Sequence, residues 1–226
     1  MIAIDGPAGA GKSTVAKGVA RALGLAHLDT GAMYRALTAK ALAAGIDVTD
    51  EPSLARMARA TRIDFEPGAM KVDGRPVGRE IRSRRVSASV SAVSAHPAVR
   101  KELVRVQRQI LRRGDVVVEG RDIGTVVFPS APVKVFLTAS IDERARRRHR
   151  EMVEAGTSVS LPTLKREIAR RDALDSTRVV SPLVPAFDAI VIDSTAKTAR
   201  QVVAQIVAVT RRAREDAGPS GARSRR

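Results

Sequence analysis

A glycine-rich segment near the amino terminus has the residue types that bind phosphate. The pattern G-x-x-x-x-G-K-[ST] is matched by Gly6-Pro7-Ala8-Gly9-Ala10-Gly11-Lys12-Ser13. The segment lies between an apolar strand candidate and a helix candidate, so backbone N–H groups and the positive end of the helix would face one phosphate. Lys12 would reach the β and γ phosphates, and the Ser13 hydroxyl would ligate Mg²⁺. The run from Gly6 to Thr14 therefore predicts a P-loop that binds a nucleoside triphosphate with Mg²⁺.

Two missing patterns narrow the class of nucleotide-binding protein. A GTPase would need the guanine-reading pattern N-K-x-D, and the chain contains no Asn. An ATPase that acts on nucleic acid usually has paired acids after an apolar strand, whereas Val116-Val117-Val118 is followed by Glu119-Gly120-Arg121-Asp122. An Arg between acidic residues indicates that the second substrate is an anion.

Candidate residues for that anion follow two further strand candidates. After the second strand a helix presents Thr30, Tyr34 and Arg35, and Thr30 and Arg35 could hold a second phosphate. The alternatives are that Thr30 only caps the helix and that Arg35 is solvated. After the third strand, Arg121 can neutralise a phosphate and Asp122 can accept a hydrogen bond from an exocyclic amine. The alternative for Asp122 is an ordinary ion pair with Arg121 or another Arg.

A second group of cations lies in the carboxy-terminal half of the chain. Four of them fall within about two turns of one predicted helix: Arg144, Arg147, Arg148 and Arg150. A Gly156-Thr157-Ser158 linker separates them from Arg171, Asp175 and Arg178. Together they predict a lid that brings Arg side chains over a transferring phosphoryl group. A solvated helix face is the alternative for the first four.

These residues need a scaffold that brings strand ends to one edge. Short apolar runs bounded by turn signals predict five strands: Ile2 to Ile4, Leu25 to Leu28, Val116 to Val118, Val133 to Leu137 and Ala189 to Ile192. Helical periods predict five helices: Gly11 to Leu23, Ala32 to Ala44, Pro97 to Arg113, Ile141 to Glu154 and Ala196 to Arg214. The alternation predicts the α/β class, with a doubly wound, mostly parallel five-stranded sheet.

The stretch from Asp47 to Ala95 breaks this alternation. Small strands are predicted at Arg62 to Phe65, Met70 to Val72 and Pro76-Val77, with turns at Pro67-Gly68 and Asp73-Gly74. We therefore divide the chain into a core of residues 1–46, 96–141 and 172–215, a small β-rich insert of residues 47–95, a helical Arg-rich lid of residues 142–171, and a disordered basic tail of residues 216–226.

The composition is that of a globular protein with anionic partners. The 226 residues suit one α/β domain with an insertion, and the formal net charge is +16. With 2% aromatic residues there is little from which to build a base-stacking platform, and without Cys there are no thiolate sites. No run reaches the roughly 20 apolar residues of a membrane helix, and we expect a cytoplasmic protein without a membrane partner.

Five ordered segments resemble bacterial cytidylate kinases, which are nucleoside-monophosphate kinases. They are IDGPAGAGKST at Ile4 to Thr14, LDTGAMYR at Leu28 to Arg35, VSAVSAHPAVR at Val90 to Arg100, EGRDIGTVVFPSAPVKVFL at Glu119 to Leu137, and RDALDSTR with SPLVPAFDA at Arg171 to Ala189. The basic tail is unmatched. The resemblance implies a core sheet, a cytidylate-binding insert and a lid.

The resemblance also implies an activity and a set of residues. The reaction is transfer of the γ-phosphoryl group of ATP, with Mg²⁺, to CMP or dCMP by a monomer without a specific nucleic-acid partner. The implied catalytic residues are Lys12, Arg121, Arg148 and Arg171. The implied acceptor site is Thr30, Tyr34, Arg35, Ser91, Arg100, Arg121, Asp122, Arg171, Asp175 and Arg178. Within it, Asp122, Ser91 and Arg100 read the cytosine, and Asp175 contacts the ribose hydroxyls.

Two other functions stay open at this point. Another small-molecule kinase such as shikimate kinase would share the P-loop, but such chains lack the long β-rich insert and the segment that ends in HPAVR. A nucleic-acid-binding P-loop protein is supported only by the net charge of +16 and the basic tail.

Overall fold

Strands and helices alternate along most of the chain. The computed structural model describes residues 1–66, 69–112, 114–154 and 156–216. In chain order the elements are β1 (Ile2–Asp5), α1 (Lys12–Leu23), β2 (Ala26–Asp29), α2 (Thr30–Ala43), α3 (Glu51–Ala60), β3 (Ile63–Glu66), β4 (Ala69–Val72), β5 (Arg75–Pro76), α4 (Arg84–Ala95), α5 (Pro97–Leu111), β6 (Val116–Glu119), β7 (Val133–Thr138), α6 (Ile141–Glu154), α7 (Leu161–Ser176), β8 (Ile190–Asp193) and α8 (Ala199–Asp216).

The five core strands form one parallel sheet in the order β2-β6-β1-β7-β8. Every residue of β1 and β6 is buried, as expected for strands covered on both faces. The register pairs Glu119 with both Ile4 and Asp29. The carboxyl ends of β1, β2 and β6 therefore meet at one edge of the sheet. The predicted five-stranded parallel sheet is confirmed.

Helices cover both faces of this sheet. Ile2 and Ile4 of β1 pack with Val15 and Val19 of α1 and with Ile206 of α8. On the other face Ala3 and Val118 belong to a cluster with Met33, Leu37 and Leu103 from α2 and α5. Burying a side chain of this size stabilises the fold by about 1.5–3 kcal/mol. Alternate residues of each strand thus anchor opposite layers, and the doubly wound prediction is confirmed.

The insert contains the predicted antiparallel strands, in the order β3-β4-β5. Asp73 and Gly74 form the predicted turn, with φ of 51° and 78°. The other predicted turn, Pro67-Gly68, lies outside the described residues. The insert also contains α3, which the sequence analysis did not predict. Its start has the usual signals, since the Asp50 side chain accepts from the Ser53 N–H (3.0 Å) and a proline follows.

The lid segment is helical, and α6 has the predicted bounds. It packs on α7 through Ala145, Leu164 and Ile168. Because α7 continues to Ser176, the predicted lid boundary at residue 171 falls inside one helix. Asp216, assigned from the sequence to the tail, is the last residue of α8, and residues 217–226 lie outside the described part. In the described part, no helix combines the length and apolar character needed to cross a membrane.

Candidate active site

The predicted P-loop connects β1 to α1 at the carboxyl edge of the sheet. Gly6 has φ of 146°, and a Cβ there would lie 2.0 Å from the carbonyl oxygen of Leu137. Only glycine fits so close to the β7 backbone. Gly11 has φ of 91° and is the N-cap of α1, which begins at Lys12. The backbone is therefore shaped to present N–H groups at a helix N-terminus.

The Lys12 side chain is buried at the start of α1. Its Nζ donates to the carbonyl oxygen of Pro7 (2.7 Å). Burial, with the nearby charge of Arg121, lowers the pKa of Lys12 to about 7. An arriving polyphosphate would favour the charged form of this amine.

Ser13 and His27 contact the same buried carboxylate at the end of β6. The Ser13 hydroxyl donates to Oε2 of Glu119 (2.8 Å), and His27 Nε2 lies 2.9 Å from Oε1. Burial favours the protonated carboxyl, but the His27 hydrogen bond and the charge of Lys12 hold the pKa of Glu119 below its ordinary value. The sequence analysis gave neither Glu119 nor His27 a role.

Asp5 positions the loop that follows β6. Its two carboxylate oxygens accept from the backbone N–H groups of Ile123 (2.8 Å) and Gly124 (2.7 Å). Burial raises the pKa of Asp5 to about 6. Arg121 and Asp122 come directly before these amides, so Asp5 fixes the strand end that carries both predicted acceptor residues.

Asp122 forms a buried ion pair with Arg100 of α5. The side chains are 3% and 6% exposed, so both charges depend on this contact. The Arg100 guanidinium also lies over the Tyr34 ring, 5.3 Å from its centroid, and donates to the carbonyl oxygen of Ser94 (3.2 Å). Asp122 is therefore an ion-pair partner, as the alternative interpretation of the sequence held, and its partner is Arg100. Ser91 lies on α4, where its carbonyl oxygen accepts from the Ser94 hydroxyl (3.2 Å).

Four of the predicted arginines lie close enough to repel one another. The pKa of Arg35 is lowered to about 10 by burial and by the positive charges of Arg82 and Arg148. The pKa of Arg171 is lowered to about 9, first by burial and then by the positive charges of Arg121, Arg35 and Arg148. The buried Nε of Arg171 has no hydrogen-bond partner among the described residues. We call Arg35, Arg121, Arg148 and Arg171 the arginine cluster, and its charges favour an anion with several oxygens.

Asp175 joins α7 to this cluster. Its carboxylate accepts from Nε of Arg121 (2.9 Å) and lies 3.3 Å from the Arg178 guanidinium. Although burial opposes ionisation, these two arginines hold the pKa of Asp175 below its ordinary value. Both oxygens of Asp175 thus contact arginine side chains.

Two alternative interpretations from the sequence are wrong. Asp29, not Thr30, caps α2, because the Asp29 side chain accepts from the Ala32 N–H (3.0 Å). The Thr30 hydroxyl donates to the carbonyl oxygen of Glu119 (2.7 Å), so it would have to exchange this bond to donate to a phosphate. Arg35 is not a solvated side chain, since it donates to the Ser87 hydroxyl (2.9 Å).

The arginines of α6 have separate environments. Arg144 is buried and donates to the P-loop carbonyl of Ala8 (3.1 Å), and it pairs with Asp172 (2.6 Å). Arg147 donates to the P-loop carbonyl of Ala10 (3.3 Å) and to the Ser194 carbonyl (2.7 Å). Arg148 is partly exposed and pairs with Glu151 (3.0 Å), whereas Arg150 is exposed. The solvated-face alternative therefore fails for Arg144 and Arg147.

The P-loop and the arginine cluster are adjacent. Arg121 and Arg171 both lower the pKa of Lys12, so two members of the cluster lie within electrostatic reach of the P-loop amine. A triphosphate on the P-loop and a second phosphate on the cluster would thus be neighbours. This arrangement can neutralise charge on a phosphoryl group that moves from one to the other.

Comparison with known proteins gives one consistent family. A sequence model of that family, described as cytidylate kinase, matches residues 2–212. The cytidylate kinase of Desulfitobacterium hafniense is 51% identical over 212 residues, which are 92% of this chain and 91% of that protein. The cytidylate kinase of Mycobacterium avium is 52% identical over 208 residues, with 90% and 91% covered.

A solved structure supports the fold separately. The crystal structure of a gluconokinase from Sinorhizobium meliloti 1021 aligns over 97% of both chains, with a TM-score of 0.52 and 18% sequence identity. At this identity the likeness concerns the fold alone.

Proposed function

The chain belongs to the cytidylate kinase family, and on that premise we propose that it transfers the γ-phosphoryl group of ATP to CMP or dCMP, with ADP as the other product. The observation that carries the proposal is that the P-loop and the arginine cluster lie next to each other. Lys12 on the P-loop is influenced by the charges of Arg121 and Arg171 of the arginine cluster. A donor triphosphate and an acceptor monophosphate would supply the anions that these cationic groups favour.

Catalysis at this site is positioning and charge neutralisation. Lys12 holds the donor phosphates, while Arg35 and Arg121 orient the acceptor phosphate so that its oxygen faces the γ phosphorus. Arg148 and Arg171 then neutralise charge that develops on the transferring group. We propose further that α6 and α7 move as a lid, and that this motion brings Arg148 over the phosphates.

The residues present fit a magnesium ion that arrives with ATP. Because the Ser13 hydroxyl donates its hydrogen to Glu119, its oxygen lone pairs can face a cation. Hydroxyl and carboxylate oxygens and nucleotide phosphates are the ligands that Mg²⁺ prefers. Ser13 would hold the ion, and when bound it supplies charge neutralisation on the ATP oxygens.

Asp122 and Arg100 read the base in this proposal. An ionised carboxylate only accepts hydrogen bonds, so Asp122 matches the amino group of cytosine and repels the carbonyl oxygen that uracil has there. Arg100 can donate to the ring nitrogen and carbonyl of cytosine, and Ser91 adds a hydroxyl. Asp175 would contact the ribose by sharing one of its two oxygens.

The proposal is tested by comparing two neighbouring arginines of α7. Arg171→Leu removes a charge from the cluster and should lower kcat by about 10²-fold or more. Because the cluster repels itself, the melting temperature should stay the same or rise. Arg170 is exposed on the same helix, so Arg170→Leu is the matched control and should leave kcat unchanged.

Equal, small effects of the two substitutions on kcat would contradict the proposal. A loss of kcat that follows a fall in melting temperature would also contradict it. The monomeric state, the division into core, insert and lid, and the cytoplasmic location stay predictions.

A further inference from the structure

His27 has a contact that the proposed reaction does not use. It lies on β2, an edge strand of the sheet, and its side chain is 16% exposed. Its Nε2 lies 2.9 Å from Oε1 of Glu119. The parallel register pairs Glu119 with Asp29, two residues beyond His27, so the His27 and Glu119 side chains leave the same face of the sheet.

The contact continues to the P-loop. The other oxygen of Glu119 accepts from the Ser13 hydroxyl (2.8 Å). The carboxylate is 4% exposed, so its orientation depends on these protein partners rather than on water. His27, Glu119 and Ser13 form a hydrogen-bonded chain from β2 to the first turn of α1, and we call it the His27 chain.

Each oxygen of Glu119 has one partner in the His27 chain: Oε2 accepts from the Ser13 hydroxyl, and Oε1 lies within hydrogen-bond distance of His27 Nε2. In the tautomer that has a hydrogen on Nε2, His27 donates it to Oε1. Without this donor, one buried oxygen of Glu119 would lose its partner, and the carboxylate could rotate away from Ser13.

We propose that His27 is a positioning residue for the metal-nucleotide: it fixes Glu119, and Glu119 holds the Ser13 hydroxyl so that the hydroxyl oxygen faces the cation. The inference rests on the proposed role of Ser13. Positioning partners of this kind typically change metal affinity by about 10-fold or more when removed.

The test measures affinity rather than turnover. Binding of ATP to the full chain is measured by calorimetry with excess Mg²⁺ and with EDTA. We expect His27→Leu to weaken binding of Mg·ATP by about 10-fold and to leave binding of metal-free ATP within twofold. His27→Gln keeps a donor near the same place and should restore Mg·ATP binding to within about threefold of the wild type.

Two controls separate positioning from stability. His96 is 20% exposed and its Nε2 contacts the carbonyl oxygen of Val48 (2.8 Å), away from the P-loop. His96→Leu should leave the ratio of the two affinities unchanged. In a Glu119→Gln background, His27→Leu should change this ratio by less than about twofold, because the chain is already broken.

The outcomes distinguish the inference from the proposed function. Equal weakening of metal-free ATP and Mg·ATP by His27→Leu would overturn the positioning role, and so would an unchanged ratio. No rescue by His27→Gln would also count against it. If the wild-type protein bound ATP neither with Mg²⁺ nor with EDTA, this result would instead overturn the proposed function and the inference together.

Discussion

Individual residues of the site are held in protonation states that substrate binding must change. Lys12 has a pKa of about 7, lowered mainly by burial from the ordinary value of 10.5. At pH 8 the amine is therefore mostly neutral, and ATP binding should restore its charge. We expect uptake of about one proton for each ATP bound at pH 8, measured by calorimetry in buffers of different ionisation enthalpy.

The variant Lys12→Met should abolish both this proton uptake and phosphoryl transfer. It should also remove a pH dependence of stability. Between pH 7 and 10.5 the unfolded chain binds more protons at Lys12 than the folded chain does, so the wild-type free energy of unfolding rises with pH in that window. The melting temperature of the variant should lack this rise, and proton uptake that persists in the variant would contradict the assignment.

Asp122 should control the choice between cytosine and uracil. In Asp122→Asn the side-chain amide can rotate and donate to the uracil carbonyl oxygen, which the carboxylate repels. We expect the ratio of kcat/KM for CMP to that for UMP to fall by roughly 100-fold. Because the change leaves Arg100 as a buried charge without a full partner, stability should fall by about 3 kcal/mol. An unchanged ratio in a folded variant would refute base reading by Asp122.

At the residue scale, the sequence predicted the groups whose chemistry is encoded locally. Lys12, Ser13, Arg121 and Asp122 each lie in a short pattern after an apolar strand. His27 and Asp5 were not predicted, because their hydrogen-bond partners, Glu119 and Ile123, are 92 and 118 positions away in the sequence. Single-sequence reasoning has no means to pair such distant residues until the strand order is known.

At the scale of elements, one carboxylate joins β1 to the loop after β6. Asp5→Asn leaves a single good acceptor for the Ile123 and Gly124 amides, because the amide nitrogen cannot accept. We expect a loss of about 1–3 kcal/mol of stability. The KM for CMP should rise, since the loop carries Arg121 and Asp122. Chemical denaturation and steady-state kinetics of the same variant measure both effects.

The same variant tests the raised pKa of Asp5, from 3.8 to about 6. Between these values the folded chain binds more protons at Asp5 than the unfolded chain, so this group lowers wild-type stability as pH rises from 3.8 to 6. The difference in stability between the wild type and Asp5→Asn should therefore shrink over that range. A difference that grows with pH would contradict the burial of this carboxylate.

Most elements could be predicted because their signals are local. The five apolar runs and α6 were found with bounds that match within a few residues. By contrast, α3 was not predicted, because its apolar pattern is short. Its start does carry the usual capping signals, at Asp50 and Pro52. The helical lid was predicted to end at residue 171, whereas α7 continues through Arg171 and Asp175 to Ser176.

At the scale of the whole molecule, we expect the net charge of +16 to attract nucleotides, without a specific nucleic-acid partner. The family match ends at residue 212, and deletion of residues 218–226 removes three Arg and no acid. We expect kcat/KM for CMP to stay within about twofold of the full chain. Tight RNA binding at physiological salt that is lost on this truncation would instead support a nucleic-acid role, with a salt slope that changes by up to about three.

We propose that the arginine cluster and the Asp122–Arg100 pair select a cytidine monophosphate as the acceptor. A coupled assay of ADP release, run with CMP, dCMP, UMP and AMP at equal concentrations, tests it most directly. We expect kcat/KM for CMP or dCMP to be at least about 100-fold above the values for UMP and AMP, with CDP or dCDP as the labelled product of γ-labelled ATP. Equal rates with all four acceptors, or ADP release that does not depend on an acceptor, would contradict it.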